Sequence, residues 1–163
     1  MDKGGDKQRH LWITLIFLNT MFIGEFQHVL DEKGRIALPT KFRKDIGHEV
    51  VITKGLDNCL WIYPKTEWKA LAEKLARLPV SKSQHRSFAR LMLAGAMDVS
   101  IDGQGRVNIP QYLINFASLA KDVIITGLYN RLEVWDRKSW DSYKKQMEKD
   151  STKVADSLSE LGV

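Results

Sequence analysis

Cysteine is nearly absent from this chain of 163 residues: Cys59 stands alone. That excludes an intramolecular disulfide and any cysteine-rich zinc site, and it suits a reducing compartment, the cytoplasm being the natural reading. The histidines are also few and scattered, at His10, His28, His48 and His85, with no H-E-x-x-H pair to hold a catalytic zinc and none beside Cys59 in sequence to activate it. No Walker A motif occurs, and Asp102-Gly103-Gln104-Gly105 lacks the third glycine and following helix of a dinucleotide-binding turn. These absences point away from an enzyme. No cofactor, metal or small-molecule substrate is expected, and Cys59 reads as a small buried hydrophobe. Long apolar runs are missing too. "LWITLIFL", Leu11 to Leu18, is only eight residues, short of the roughly 20 that cross a bilayer, so no membrane partner is expected. Basic residues precede it as in a signal peptide, but "LNTMF" offers large side chains where cleavage needs small ones. Residues 1–20 are read as an atypical, non-native or mis-assigned extension before Met21, with targeting as the alternative.

What is present is an ordinary globular composition, 44% apolar and 28% charged, with a net charge of +5 and a pI near 9.3. The surplus tilts the partner list toward polyanions. It is also local. From Pro64 to Gly95 there are seven basic and two acidic residues, whereas the segment after Asn130 carries seven of each.

A nonapeptide is written twice. "DEKGRIALP", Asp31 to Pro39, returns as "DGQGRVNIP", Asp102 to Pro110. Asp31, Gly34, Arg35 and Pro39 match Asp102, Gly105, Arg106 and Pro110 at a constant offset of 71. Further on, Gly55, Leu60, Tyr63 and Trp68 match Gly127, Leu132, Trp135 and Trp140 at an offset of 72. Two pseudo-repeated units of about 45 residues follow, and such periodicity decides a fold before anything else does.

Within a unit the pattern predicts a strand, a glycine-bearing turn and a second strand, as in "FQHVLDEKGRIALP", which reads locally as a hairpin. Pro39 and Pro110 then end sheet pairing or open short helices in "PTKFRKDI" and "PQYLINFASL". A second strand pair follows in each unit, "EVVITKG" with "CLWIYP" and "DVIITG" with "RLEVWD". Next comes a helix capped by Thr66 with Trp68, Leu71, Ala72, Leu75 and Leu78 as its apolar stripe, ending before Pro79. Another is expected from Ser83 to Leu93 with Phe88, Leu91 and Met92 inward and Gly95 as its stop. A third, capped by Ser139, carries Trp140, Tyr143 and Met147, and the Ser-rich tail from Ser151 is left without structure. Of the five tryptophans, Trp61, Trp68, Trp135 and Trp140 read as core or self-association packing. Trp12 falls in the extension.

The repeated turn has a chemistry of its own. Glycine takes a positive φ at least cost, and the aspartate accepts turn amides or pairs with the arginine four residues on. One copy alone would be a solvated surface hairpin. Two copies set two guanidinium groups at symmetry-related places on a stiff β scaffold, and the guanidinium fork matches the O6 and N7 acceptors of guanine in the major groove. Lys33, Lys41, Arg43 and Lys44 surround the first copy and could neutralise phosphates, whereas Gln104, Asn108 and Gln111 stand around the second. The basic run of Lys65 to Arg90 reads mainly as a solvated face. An interaction module built on the tryptophans is the rival reading.

From Met21 to about Met147 the chain resembles the MraZ family of bacterial transcriptional regulators. The resemblance is carried by "MFIGEFQHVLDEKGRIALP", by "RLMLAGAMDVSIDGQGRVNIP" and by the two D-x-x-x-R elements, Asp31/Arg35 and Asp102/Arg106. It implies an α+β fold in which two AbrB-like swapped-hairpin repeats, 21–68 and 98–140, form a pseudo-two-fold β-barrel, with a helical connection at 69–97 and a C-terminal helix and tail at 141–163. It further implies ring-shaped homo-oligomers at the nucleoid and binding to double-stranded DNA at G-rich direct repeats. Those repeats lie upstream of the division and cell-wall gene cluster, the protein's own promoter included. Arg35 is the implied DNA-contacting residue and Arg106 its counterpart.

Overall fold

The computed structural model describes residues 21–162, so the extension and Trp12 lie outside it. Eight strands are named in chain order: β1 (Phe22–Val29), β2 (Arg35–Ala37), β3 (Glu49–Lys54), β4 (Leu60–Pro64), β5 (Met97–Ser100), β6 (Arg106–Asn108), β7 (Asp122–Tyr129) and β8 (Leu132–Asp136). The helices are α1 (Arg43–Ile46), α2 (Lys65–Ala76), α3 (Ser83–Ala89), α4 (Gln111–Phe116) and α5 (Arg137–Leu158). A single 3-10 turn, Thr40–Phe42, leads into α1.

Six strands form one antiparallel sheet in the order β1-β7-β8-β4-β3-β5, and β2 pairs with β6 in a separate two-stranded ribbon. The expected strand-turn-strand units are present, but the two strands of each unit do not pair with one another. β1 runs its full length along β7 of the second unit, from Phe22 opposite Tyr129 to Val29 opposite Asp122. β5 lies in turn on β3 of the first unit. Each repeated turn is therefore a sharp corner that sends the chain from sheet to ribbon. Each unit's first strand completes the other unit's sheet. The six-stranded ladder ends at β1 and β5 and does not close on itself.

Side-chain alternation sorts the sheet into two faces. Val50, Ile52, Leu60, Ile62, Val123, Ile125, Leu132 and Val134 face the ribbon and the short helices, burying Ile36, Leu38, Phe42, Val107 and Leu113 against them. The other face carries Trp61, Tyr63, Ile124 and Trp135, covered by α2 and α5: Tyr63 meets Trp68 at 5.9 Å, and Trp135 meets Trp140 at 5.4 Å and Tyr143 at 5.0 Å. Thr53 Oγ1 donates to Met92 O (2.7 Å), fixing the segment after α3 to this same face. The molecule has three layers, with the long helices and the ribbon on opposite sides of the sheet.

Several local expectations are corrected. α2 starts at Lys65 behind Pro64, which fixes the entry without a side-chain cap, so Thr66 is already inside the first turn. The cap of α5 is Asp136, whose carboxylate accepts from the amides of Lys138 and Ser139, in place of Ser139 itself. α2 ends at Ala76, three residues before Pro79. Phe88 is on the exposed side of α3, while Met92, in a single π turn (Arg90–Ala94) that Gly95 ends, is fully buried. The tail expected to lack structure is helical: α5 continues to Leu158 and a 3-10 turn reaches Leu161.

Candidate nucleic-acid interface

The two repeated turns have the same internal wiring. Asp31 Oδ1 accepts from the backbone amides of Lys33 and Arg35, both at 2.9 Å, while Oδ2 accepts from Arg35 Nε at 2.8 Å. Asp102 repeats this with Gln104 N and Arg106 N at 2.9 Å and Arg106 Nε at 2.7 Å. The amide donated by Arg35 is the largest influence holding the Asp31 carboxyl below its usual range, and Arg106 does the same for Asp102. Gly34 and Gly105 take φ of +77° and +75°, the left-handed region in which a side chain is strained. Among the described residues each guanidinium is tied by its Nε alone, which leaves both terminal Nη groups for a partner.

The turns are also locked to one another. Ile109 N donates to Gly34 O (2.8 Å) and Leu38 N to Gly105 O (2.9 Å), so the corner of each unit accepts from the strand end of the other. Pro39 and Pro110, just beyond, open the 3-10 turn and α4.

The ribbon register is Arg35 opposite Asn108, Ile36 opposite Val107 and Ala37 opposite Arg106. Ile36 and Val107 are 0% exposed and point into the core. Alternation therefore turns Arg35, Ala37, Arg106 and Asn108 to the outward face. Arg35 and Arg106 are diagonal neighbours there, with side chains 31% and 28% exposed. Neither arginine belongs to a hairpin of its own. Sequence reasoning placed both on symmetry-related turns, and the pairing of β2 with β6 brings them onto one surface.

The flanking cations divide. Lys33 is exposed on the first turn, Lys41 on the 3-10 turn and Lys44 on α1. Arg43 is half-buried: its Nε donates to Leu38 O (2.9 Å), and its guanidinium covers Gly105, where any added Cβ would collide with it. Arg43 thus braces the second turn, and Ile114 occupies the equivalent place over Gly34. The basic run on α2 and α3 lies behind the sheet, away from the ribbon. Lys65 in that run pairs with Glu49 (3.0 Å), and Arg86 donates to Val80 O and Ser81 O.

Cys59 is buried, its Sγ donating to Leu56 O (3.1 Å), and burial pushes the thiol well above its usual range. No cluster of three or more metal-binding side chains occurs among the described residues, and none of their helices is long and apolar enough to cross a membrane.

A family model described as "MraZ protein, putative antitoxin-like" matches residues 21–91 and again 92–160. The chain is 46% identical over 143 residues to the transcriptional regulator MraZ of Natranaerobius thermophilus, a span of 88% of this chain and 100% of that one. The same identity and coverage hold for the transcriptional regulators MraZ of Clostridium tetani and Clostridium acetobutylicum.

Proposed function

The chain belongs to the MraZ family, and on that premise we propose that it is a sequence-specific DNA-binding regulator of transcription. It reads G-rich direct repeats upstream of the division and cell-wall gene cluster, its own promoter among them. The observation that carries this reading is the outward ribbon face, where Arg35 and Arg106 stand as diagonal neighbours, each tied to its own aspartate through Nε. A two-stranded ribbon fits the major groove, and a pre-oriented fork of donors suits guanine. Lys33 and Lys41 are assigned to phosphates. Arg43 is assigned to the same surface while it also supports the second turn.

In this reading the open sheet and the ribbon over its inner face correspond to the AbrB-like barrel, with 21–68 and 98–140 as the repeats. A ring of copies presents several ribbons to successive repeats, so later contacts become intramolecular and affinity multiplies. Such a protein works in the cytoplasm at the nucleoid and is a binding protein, with no role as an enzyme.

The test is a binding isotherm of the full chain and its Arg35→Ala variant on DNA from upstream of its own gene, at about 50 and 200 mM salt. Wild-type affinity should fall roughly tenfold across that range for each ribbon engaged, if two phosphates are neutralised per ribbon. Arg35→Ala should lose specific binding while keeping its fold and oligomeric size. Equal binding by both proteins would move the reading to another basic surface, and binding by neither would favour a protein partner.

A further inference from the structure

A two-fold head reads the same in either direction, which poses a difficulty for direct repeats, because every copy on such a site must face the same way. The ribbon's two arginines are equivalent under the pseudo-two-fold, and so are their aspartates. The remaining outward positions are not. The counterpart of Asn108 at the offset of 71 is Ala37, so one end of the ribbon presents Arg35 beside Asn108 and the other presents Arg106 beside Ala37. Asn108 is exposed, and its Oδ1 leans toward Gly34 of the first turn, about 3.3 Å from where a Cβ would stand there. Directly opposed residues of an antiparallel pair hold their Cβ atoms about 4.5–5.5 Å apart, whereas base pairs rise about 3.4 Å each. A groove that receives Arg35 therefore receives Asn108 within about one to two steps.

We propose that Asn108 reads a base edge, and that its contrast with Ala37 fixes the direction in which each ribbon lies on the DNA. The proposal rests on the DNA-reading role assigned above. A carboxamide offers one donor and one acceptor in the arrangement that complements N7 and N6 of adenine. The methyl of Ala37 offers no hydrogen bond and suits, at most, the methyl of thymine. Arg35 with Asn108 thus specifies a guanine next to an adenine, while Arg106 with Ala37 specifies a guanine with an apolar neighbour. Turning the head round would set Asn108 against the wrong pair and leave a polar group without its partner, which is the strong way to reject a site. Lys33 on the first turn against Gln104 on the second adds a weaker asymmetry at the phosphates.

The experiment measures full-length protein on short duplexes carrying one repeat, with each base pair varied singly, for wild type, Arg35→Ala and Asn108→Ala. Wild type should discriminate at a G·C pair and at a neighbouring A·T pair. Arg35→Ala identifies the first by losing it. Asn108→Ala should lose roughly 5- to 150-fold of discrimination at the A·T pair alone, with binding to the already substituted duplex unchanged. Asn108→Ser, which retains a small polar side chain, should show the same loss, and unchanged melting and oligomeric size exclude a folding effect. The swap A37N/N108A rebuilds the same pair of side chains beside Arg106, so the base preference should stay in place while the head turns round, and DNA cleavage from an iron chelate tethered at Glu32→Cys, exposed on the first turn, should move to the other end of the site. An Asn108→Ala profile identical to that of a discriminating wild type overturns the proposal and leaves the DNA-reading role standing. Cleavage that stays at the same end in the swap overturns its directional half. A wild type with no base preference at all overturns both readings together.

Discussion

At the scale of single residues, the strongest constraint is the carboxylate that organises each turn. Asp31 and Asp102 are held below the ordinary carboxylate range chiefly by the amides of Arg35 and Arg106. A depressed carboxyl contributes stability that is present above its unfolded value of about 3.9 and is lost only as pH falls through the folded value. The turns are therefore intact throughout the neutral range. His28 behaves differently. Burial, and then the neighbouring Arg43, lower its affinity for a proton, so the unfolded chain binds more protons than the folded one near pH 6.5 and stability rises with pH through that window. The expected outcome is a melting temperature that declines as pH drops from about 7.5 to 5.5, and a smaller decline in His28→Gln. Melting curves over pH check this. Equal slopes for the two proteins would place the pH dependence elsewhere.

At the scale of elements, the swapped strand is fixed by an aromatic cluster. Phe42, 2% exposed, receives Phe22 and Phe26 of β1 edge-on, each at 5.2 Å. Phe42→Ala should cost about 3–5 kcal/mol, the usual loss for a buried phenylalanine, and denaturant titration would measure it. A loss under about 1 kcal/mol would mean that β1 is held by its ladder alone. Two strands away in the same sheet, at the end of β8, Asp136→Ala should cost about 0.5–2 kcal/mol. The loss should be concentrated in the first turn of α5, where hydrogen exchange of the Lys138 and Ser139 amides would accelerate. These elements were legible in the sequence to different degrees. The duplicated Asp, Gly, Arg and Pro located both turns, and apolar spacing located α2 and α5. The caps are not legible because a hydroxyl at Thr66 or Ser139 has the right chemistry, while Pro64 and Asp136 sit two and three residues earlier, at the true corner. The far half of α5 was missed because its apolar residues are sparse. It is held by local pairs, among them Gln146 with Asp150 and Ser151 Oγ with Glu148 O, which leave little hydrophobic periodicity to read.

At the scale of the whole molecule, the sequence showed two units but not that each is incomplete. Strand pairing depends on partners far along the chain, and the local pattern around Asp31 is equally consistent with a hairpin closing on itself. The swap has an energetic consequence. A chain cut at the boundary between the two matched segments, 21–91 and 92–160, would leave β1 without β7, β2 without β6 and β3 without β5. Ile36 and Val107, now fully buried face to face, would each lose their partner, and burial of such a side chain is worth roughly 1.5–3 kcal/mol. Several such losses exceed the marginal stability of a domain this small. Each half alone should therefore be unfolded or pair with a second copy of itself in place of the missing half. Mixed together, the halves should assemble one to one and recover the circular dichroism spectrum of the intact chain. Sedimentation and circular dichroism on the separate and mixed fragments decide it. A single fragment that is monomeric, cooperative in melting and rich in strand would show that a unit can close its own hairpin, and the joint surface bearing Arg35 and Arg106 would then be one of two available pairings.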